Sequence, residues 1–283
     1  SNYEVQITET PTELSTPTVN RAGATCVLSG DAIPFEYIRS EGKAGRLRSR
    51  LIAIVAEGPN GRLYLPPSLI DEEFISRIPK PDEPSMKIDH WSGCTNCVLY
   101  GYQNFDDLYT PRQFSTLKAF AEAIREVQIE IQTDVGANES LFKSKESFAS
   151  GGSGSTAYAE AISLLLSFSL SKLADLNNSF CRWEPKAQCP RNLFGKQAIP
   201  MVWDYAESNP FSSSSGGWFV VVRGISNALE KCFSFKNSNQ LASVFQADAH
   251  DFPNTVSSPV VCMDPPYYDN IPYSNLSDFF YMW

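Results

Sequence analysis

The chain has 283 residues and a formal net charge of −9, and 12% of its residues are aromatic while 19% are charged. This composition indicates a globular chain with a sizeable core and argues against intrinsic disorder. The longest apolar run, 161–170, is interrupted by serines, so neither a membrane span nor a signal peptide is predicted. Seven scattered cysteines, an odd number, favour reduced thiols in a cytoplasmic protein.

The N-terminal third is predicted to be rich in short strands. Residues 1–21 are polar and rich in Pro and Thr, which is typical of a loop. Short strands are then expected across 22–66, with a turn at 42–45. Pro59-Asn60-Gly61 joins two apolar runs, LIAIVAEG and RLYLPP, and such a turn is a strong signal for a β-hairpin.

Helical periodicity begins after residue 109. Thr110-Pro111 caps a helix predicted over 112–130, and one face of it is apolar: Phe114, Leu117, Phe120, Ala121 and Ile124. A Gly/Ser-rich loop at 148–154 leads into a second helix, 156 to about 178, with Ser155 or Thr156 as its cap.

A third helix is predicted over 218–232. The segment between the second and third helices, 181–211, is rich in Trp, Arg, Asn, Gln and Pro and has no periodicity, so we expect an ordered loop. Ordered loops on a rigid scaffold are common positions for functional residues.

Two short strands that end in carboxylates are predicted near the C-terminus. One is Val244 to Asp248, and the other is the apolar run Val260 to Met263, which delivers Asp264. Pro265 and Pro266 stop any continuation of the second strand. We therefore expect both aspartates at the same edge of a parallel sheet, where α/β proteins bind ligands.

The order Asp264-Pro265-Pro266-Tyr267 suits recognition of an amino group. Prolines fix the backbone, so the Asp264 carboxylate and the Pro265 carbonyl oxygen can accept hydrogen bonds from one exocyclic NH₂ group. Tyr267 offers a flat face on which an extrahelical base can stack. The alternative is a Pro-Pro turn after a core strand, since a four-residue motif also arises by chance.

This constellation resembles motif IV of the amino-group DNA methyltransferases. The C-terminal run from Asp264 and four further segments also follow a family order: EGKAGRLRSRLIAIVAEG, YTPRQ, GGSGSTAYAEA and RNLFGKQAIPMVWDYAESNPF. Over residues 22–283 the chain resembles the large bacterial and archaeal adenine-specific DNA methylases with a zinc-ribbon-like insertion. The resemblance implies S-adenosylmethionine as cofactor, double-stranded DNA as partner, Asp264 to Tyr267 as catalytic residues, and Asp248 as a contact to the cofactor adenine.

The resemblance also implies an architecture. The fold class is α/β, a partial Rossmann-like methyltransferase sheet of two C-terminal strands with an α+β insertion. Its regions are a polar loop (1–21), a degenerate ribbon-like insertion (22–108), a helical and loop region for DNA recognition (109–217), and part of the catalytic domain (218–283). Because the family's Gly-rich cofactor motif is expected upstream, the chain is interpreted as an internal, inactive segment that needs the rest of the methylase.

Two clusters of basic residues favour phosphate contacts despite the acidic mean charge. The candidate nucleic-acid residues are Arg39, Lys43, Arg46, Arg191 and Lys196. A solvated surface is the alternative for each of them.

A structural zinc site is not predicted. Cys94 and Cys97 have knuckle spacing and His90 lies nearby, but the knuckle at Cys26 lacks its second cysteine.

Two other functions stay open on the sequence. The chain could bind nucleic acid without activity of its own, or the amino group could belong to cytosine, RNA or protein, which related motifs serve. The resemblance is also compatible with a restriction or defence partner, and it implies no membrane partner.

Overall fold

The computed structural model describes residues 7–8, 17–80, 82, 85–137, 144–234, 244, 247–248, 260–265, 267–268 and 270–283. Within these ranges the fold is mixed α and β, with six α-helices and small antiparallel sheets. The helices are α1 (Phe35–Lys43), α2 (Leu69–Ser76), α3 (Pro111–Gly136), α4 (Ser155–Leu176), α5 (Trp218–Ser234) and α6 (Tyr273–Tyr281).

All described sheets are short and antiparallel. The strands are β1 (Val19–Asn20), β2 (Gly23–Thr25), β3 (Ala32–Ile33), β4 (Ile54–Gly58), β5 (Gly61–Leu65), β6 (Trp183–Glu184) and β7 (Cys189–Pro190). They form one three-stranded sheet, β1-β2-β3, and two hairpins. The predicted hairpin is confirmed, because Gly58 pairs with Gly61 across the two-residue turn Pro59-Asn60.

Helix α1 was not predicted, since residues 22–66 were expected to form strands and turns. It packs on a short 3₁₀ helix, Asn96–Tyr100, through a very close approach of two backbones. A Cβ added at Gly42 would lie 2.2 Å from the Tyr100 carbonyl oxygen, so glycine is required at this helix position. The expected turn follows the helix at Ala44 and Gly45.

The capped helix is confirmed and extends six residues further than predicted. The Thr110 hydroxyl accepts a hydrogen bond from the Gln113 amide, and the Gln113 side chain accepts one from the Thr110 amide. This reciprocal capping box satisfies two amide groups at the start of α3. Of the predicted apolar face, Phe114, Leu117 and Ile124 are buried.

The second and third helices are also confirmed as α4 and α5. The predicted cap of α4 is wrong, because Gly154 occupies the N-cap position rather than Ser155 or Thr156. A Cβ at Gly154 would lie 1.6 Å from the Ser144 carbonyl oxygen, so the preceding loop excludes a side chain there. The loop 181–211 is largely irregular, as predicted, apart from β6, β7 and a single 3₁₀ turn.

The core lies between α3, α4 and the segments that cross them. Helix α4 packs against both α3 and α5, and Leu117 and Leu173 are completely buried. Aromatic side chains from Phe105, Tyr109, Phe180 and Phe279 complete the same cluster. By length and composition α4 could also cross a membrane, but it is the central helix of this core, and the structure is consistent with a soluble protein.

The predicted buried strand at 260–263 is wrong in this structure. Val260, Val261 and Met263 are 93%, 69% and 83% exposed, and the residues lie outside any strand. A parallel strand needs hydrogen-bonding neighbours and two covered faces, and the described part of the chain places no parallel strand beside it. The other predicted strand, 244–248, falls largely outside the described residues.

Leu173→Ala tests the central position of α4. We expect it to lower the free energy of unfolding by about 2–5 kcal/mol, because a fully buried leucine is replaced by a cavity. The matched control is Leu164→Ala on the same helix, where the side chain is 44% exposed and the loss should stay below about 1 kcal/mol. Urea unfolding measures both, and equal losses would contradict this packing.

Candidate functional site

The predicted catalytic motif lies on the surface. Asp264 and Pro265 are exposed, and Tyr267 is 78% exposed. Pro266 lies outside the described residues. The amide of Asn270 donates to the Tyr267 carbonyl oxygen at 3.2 Å, which closes a turn directly after the motif. The aromatic face and the carboxylate are therefore both accessible to a ligand.

Helix α6 follows this turn and is tightly anchored. Phe279 is fully buried, and its ring contacts those of Phe105, Tyr109 and Phe194 at centroid distances of 6.4, 5.7 and 5.1 Å. Trp283 adds an edge contact to Tyr109 and donates its indole N–H to the Tyr109 hydroxyl at 3.2 Å. The exposed motif thus runs into a helix that is fixed in the core.

A cleft of about 290 Å³ lies beside α6, which we name the α6 cleft. Its polar rim is formed by Lys196, Gln197, Tyr273 and Ser277, and its apolar part by Phe194, Leu276 and Phe280. Lys196 is exposed, and no ion-pair partner for it exists among the described residues. The α6 cleft therefore combines one free cation with an aromatic floor beside α6.

A buried carboxylate that the sequence interpretation missed holds one wall of this cleft. Asp175, near the end of α4, accepts hydrogen bonds from the Phe194 amide at 2.9 Å and the Asn192 side chain at 3.0 Å. Lys172 pairs with the same carboxylate at 3.0 Å. An aspartate within the apolar C-terminal turn of α4, beside Ala174 and Leu176, was the available signal, because buried charges need partners.

The five candidate phosphate contacts divide into bound and free cations. The Arg39 guanidinium lies over the rings of Phe35 and Tyr100, at 5.8 and 5.5 Å, and Arg46 forms a bidentate pair with Glu41 at 2.7 Å. Arg191 lies 3.7 Å from Glu184. Lys43 and Lys196 are exposed and have no partner within the described ranges.

These contacts rank the five cations by how free they are to bind phosphate. The hydrogen bond and the positive charge of Arg46 lower the pKa of Glu41. Because the two charges offset each other, this ion pair contributes little net electrostatic potential. Lys43 and Lys196 are the stronger candidates for phosphate, although the role stays a prediction for all five residues.

Asp248, the predicted cofactor contact, is exposed. It does not line either of the two described clefts, and neither does Asp264. Neither of these two clefts therefore supports the predicted contact to S-adenosylmethionine, and the cofactor stays an implication of the resemblance.

The segment 203–211 is anchored by an ion pair across the fold. Arg112 at the start of α3 holds Glu207 through two hydrogen bonds of 2.8 and 2.7 Å, and the Thr110 hydroxyl donates to the same carboxylate at 3.2 Å. The pKa of Arg112 is raised chiefly by the hydrogen bond to Glu207. Glu207 thus joins two of the segments that carry the family resemblance.

The cysteines do not gather into a ligand set in the described ranges. No three His, Cys, Asp or Glu side chains there converge as metal ligands would. Cys97 is fully buried, and burial raises its pKa to about 12, whereas the partly exposed Cys26 has a lowered pKa because of its hydrogen bond with Ser29. Cys94 and Cys97 instead bracket Ile199 through backbone hydrogen bonds of 2.6 and 3.4 Å.

Comparison of the chain with protein-family models, with curated proteins and with solved structures finds no significant match.

Cysteine reactivity checks the assignment of Cys97 and Cys181 as packed thiols. Burial raises the pKa of each to about 12, so the reactive thiolate is scarce at mildly alkaline pH. We expect iodoacetamide to modify Cys26 in the folded chain and to spare Cys97 and Cys181 until denaturant is added. Mass spectrometry of the peptides measures this order, and equal labelling of Cys26 and Cys97 in the native chain would contradict it.

Proposed function

We propose that the chain is a segment of a cytoplasmic, site-specific DNA methyltransferase that methylates the exocyclic amino group of adenine. The observation that carries the proposal is the exposure of Asp264, Pro265 and Tyr267, three residues of the motif, shortly before the anchored helix α6. An accessible carboxylate beside an accessible aromatic ring suits an amino group on a flat base. The proposal includes a Rossmann-like catalytic domain.

Asp264 and its neighbours act by orienting the target. The carboxylate oxygen of Asp264 and the carbonyl oxygen of Pro265 accept the two amino hydrogens, which directs the nitrogen lone pair toward the methyl donor. The Tyr267 ring stacks on the base and compensates part of the stacking lost inside the duplex, at about 1–3 kcal/mol per base. S-adenosylmethionine, when bound, supplies the methyl group.

The packing of α6 against the core restricts the motion of the segment that carries Asp264 and Tyr267. Positioning of reactants contributes to catalysis only when the groups stay within a narrow range of geometry. Phe279 is buried among three rings, and this contact fixes helix α6. The turn from Tyr267 to Asn270 is therefore connected to a helix that is held in place. The free Lys196 in the α6 cleft and Lys43 on α1 are available for phosphates of the double-stranded DNA partner.

Asp264→Ala in the intact protein tests the function. We expect methyl transfer to fall by at least about 100-fold, because the amine loses its orienting acceptor, while duplex binding changes by less than about twofold. Asp264→Asn should retain part of the activity, since the amide oxygen still accepts one hydrogen bond. The matched control is Asp134→Ala, an exposed carboxylate on α3.

Methylated DNA is measured with labelled cofactor, and binding is measured by electrophoretic mobility shift. Equal losses of binding and methylation in Asp264→Ala would show a structural role for Asp264. Duplex binding without methylation in the unsubstituted protein would favour a nucleic-acid-binding module.

A further inference from the structure

We propose that a second cleft, which Tyr109 also lines, binds a single nucleotide, with the base among aromatic rings and the phosphate at Arg48. We name it the Trp203 cleft. It is built by residues 47–49, 102–111 and 201–205, together with Ser179. The inference deepens the proposed function, on which it rests, by adding a nucleotide site that lacks the residues of the catalytic motif.

The walls of the Trp203 cleft are aromatic and held in place. Trp203 is 42% exposed, and its ring meets Tyr100 edge to face at a centroid distance of 5.2 Å. Tyr102 is held in the same way by Phe180 at 4.9 Å. Tyr205 is half-buried and lines the cleft together with Ser49. Rings that are already fixed lose little conformational entropy when a base stacks on them.

The charges in the cleft favour an anionic ligand. Asp107 accepts the amides of Gln103 and Asn104 at 3.0 and 2.9 Å. It also shares Lys80 with Asp106, at 3.3 Å and 2.5 Å respectively, so part of its charge is offset. Arg48 is the other charged residue of the lining, and it is exposed without an ion-pair partner among the described residues. A guanidinium in that state is well suited to bind phosphate.

The size of the cleft selects one nucleotide. Its volume is about 290 Å³, at the lower end of the roughly 300–1,000 Å³ that is usual for small-molecule pockets. A base with its sugar fits such a space, whereas a duplex must remain outside. Aromatic walls with a cation at the rim are the arrangement by which proteins hold unstacked nucleotides.

Titration of the chain with 5′-dAMP and with deoxyadenosine tests the site. Binding is followed by tryptophan fluorescence. Trp203→Phe removes the fluorescence change that arises from the cleft, and it should preserve most of the affinity because an aromatic ring remains. We expect dAMP to bind on the order of fivefold tighter than deoxyadenosine, because only dAMP carries the phosphate for Arg48.

Two substitutions distinguish the contribution of the base to binding from the contribution of the phosphate. Arg48→Gln should remove the preference for dAMP and leave deoxyadenosine binding unchanged, while the matched control Arg125→Gln, an exposed arginine on α3, should change neither. Trp203→Ala should weaken the binding of both ligands by about tenfold. Because this substitution removes the fluorescent tryptophan of the cleft, binding is then measured by ligand-observed NMR. Unchanged unfolding midpoints exclude loss of the fold.

The outcomes distinguish this site from the catalytic motif. Absence of dAMP binding, equal binding of both ligands, or insensitivity to Trp203→Ala would overturn the nucleotide site and leave the methylation assay untouched. Loss of dAMP binding in Asp264→Ala, with no effect of Arg48→Gln, would locate the nucleotide at the motif instead and would also overturn it. Intact dAMP binding in a protein that does not methylate DNA would contradict only the proposed function.

Discussion

Burial of the Phe279 ring is the interaction on which the site depends. Helix α6 has nine residues and is too short to be stable alone, so tertiary packing must hold it. Phe279 inserts between Phe105 and Tyr109, which belong to one segment, and Phe194, which belongs to another. Aromatic pairs of this kind contribute about 0.5–1.5 kcal/mol each beyond the burial of apolar area. One side chain therefore ties the end of the motif segment to the capped start of α3 and to the loop that follows β7.

Asp175 extends this constraint from apolar to polar contacts. Its carboxylate holds the Phe194 amide, and Phe194 in turn packs on Phe279 and Phe280. A buried charge is costly unless every acceptor position is used, and here a lysine, an asparagine and a backbone amide occupy them. The Glu207 and Arg112 pair links the next part of the same loop to α3. Irregular backbone is thereby held firmly enough to form the walls of both clefts.

Sequence periodicity predicts the parts of this fold whose contacts are local. The Pro59-Asn60 turn, the helix cap at Thr110 and the apolar face with Phe114 and Leu117 each depend on neighbours within a few residues, and each was predicted correctly. Helix α1 was missed because Gly42 argues for a turn until the close approach of Tyr100 is known. The strand expected at Val260 to Met263 failed because a parallel strand depends on distant partners. The motif itself was found from sequence, whereas the Trp203 cleft joins four separate parts of the chain and has no local pattern.

The anchoring of α6 is tested most directly by amide hydrogen exchange. Amides of Leu276, Phe279 and Phe280 should exchange as slowly as those in the centres of α3 and α4, because α6 opens only when the aromatic cluster opens. Phe279→Ala should accelerate exchange in α6 selectively, while Tyr281→Ala, which removes an 83% exposed ring from the same helix, should leave it unchanged. Exchange in α6 that is fast in the unsubstituted chain, or equally sensitive to both substitutions, would contradict an anchored helix behind the motif.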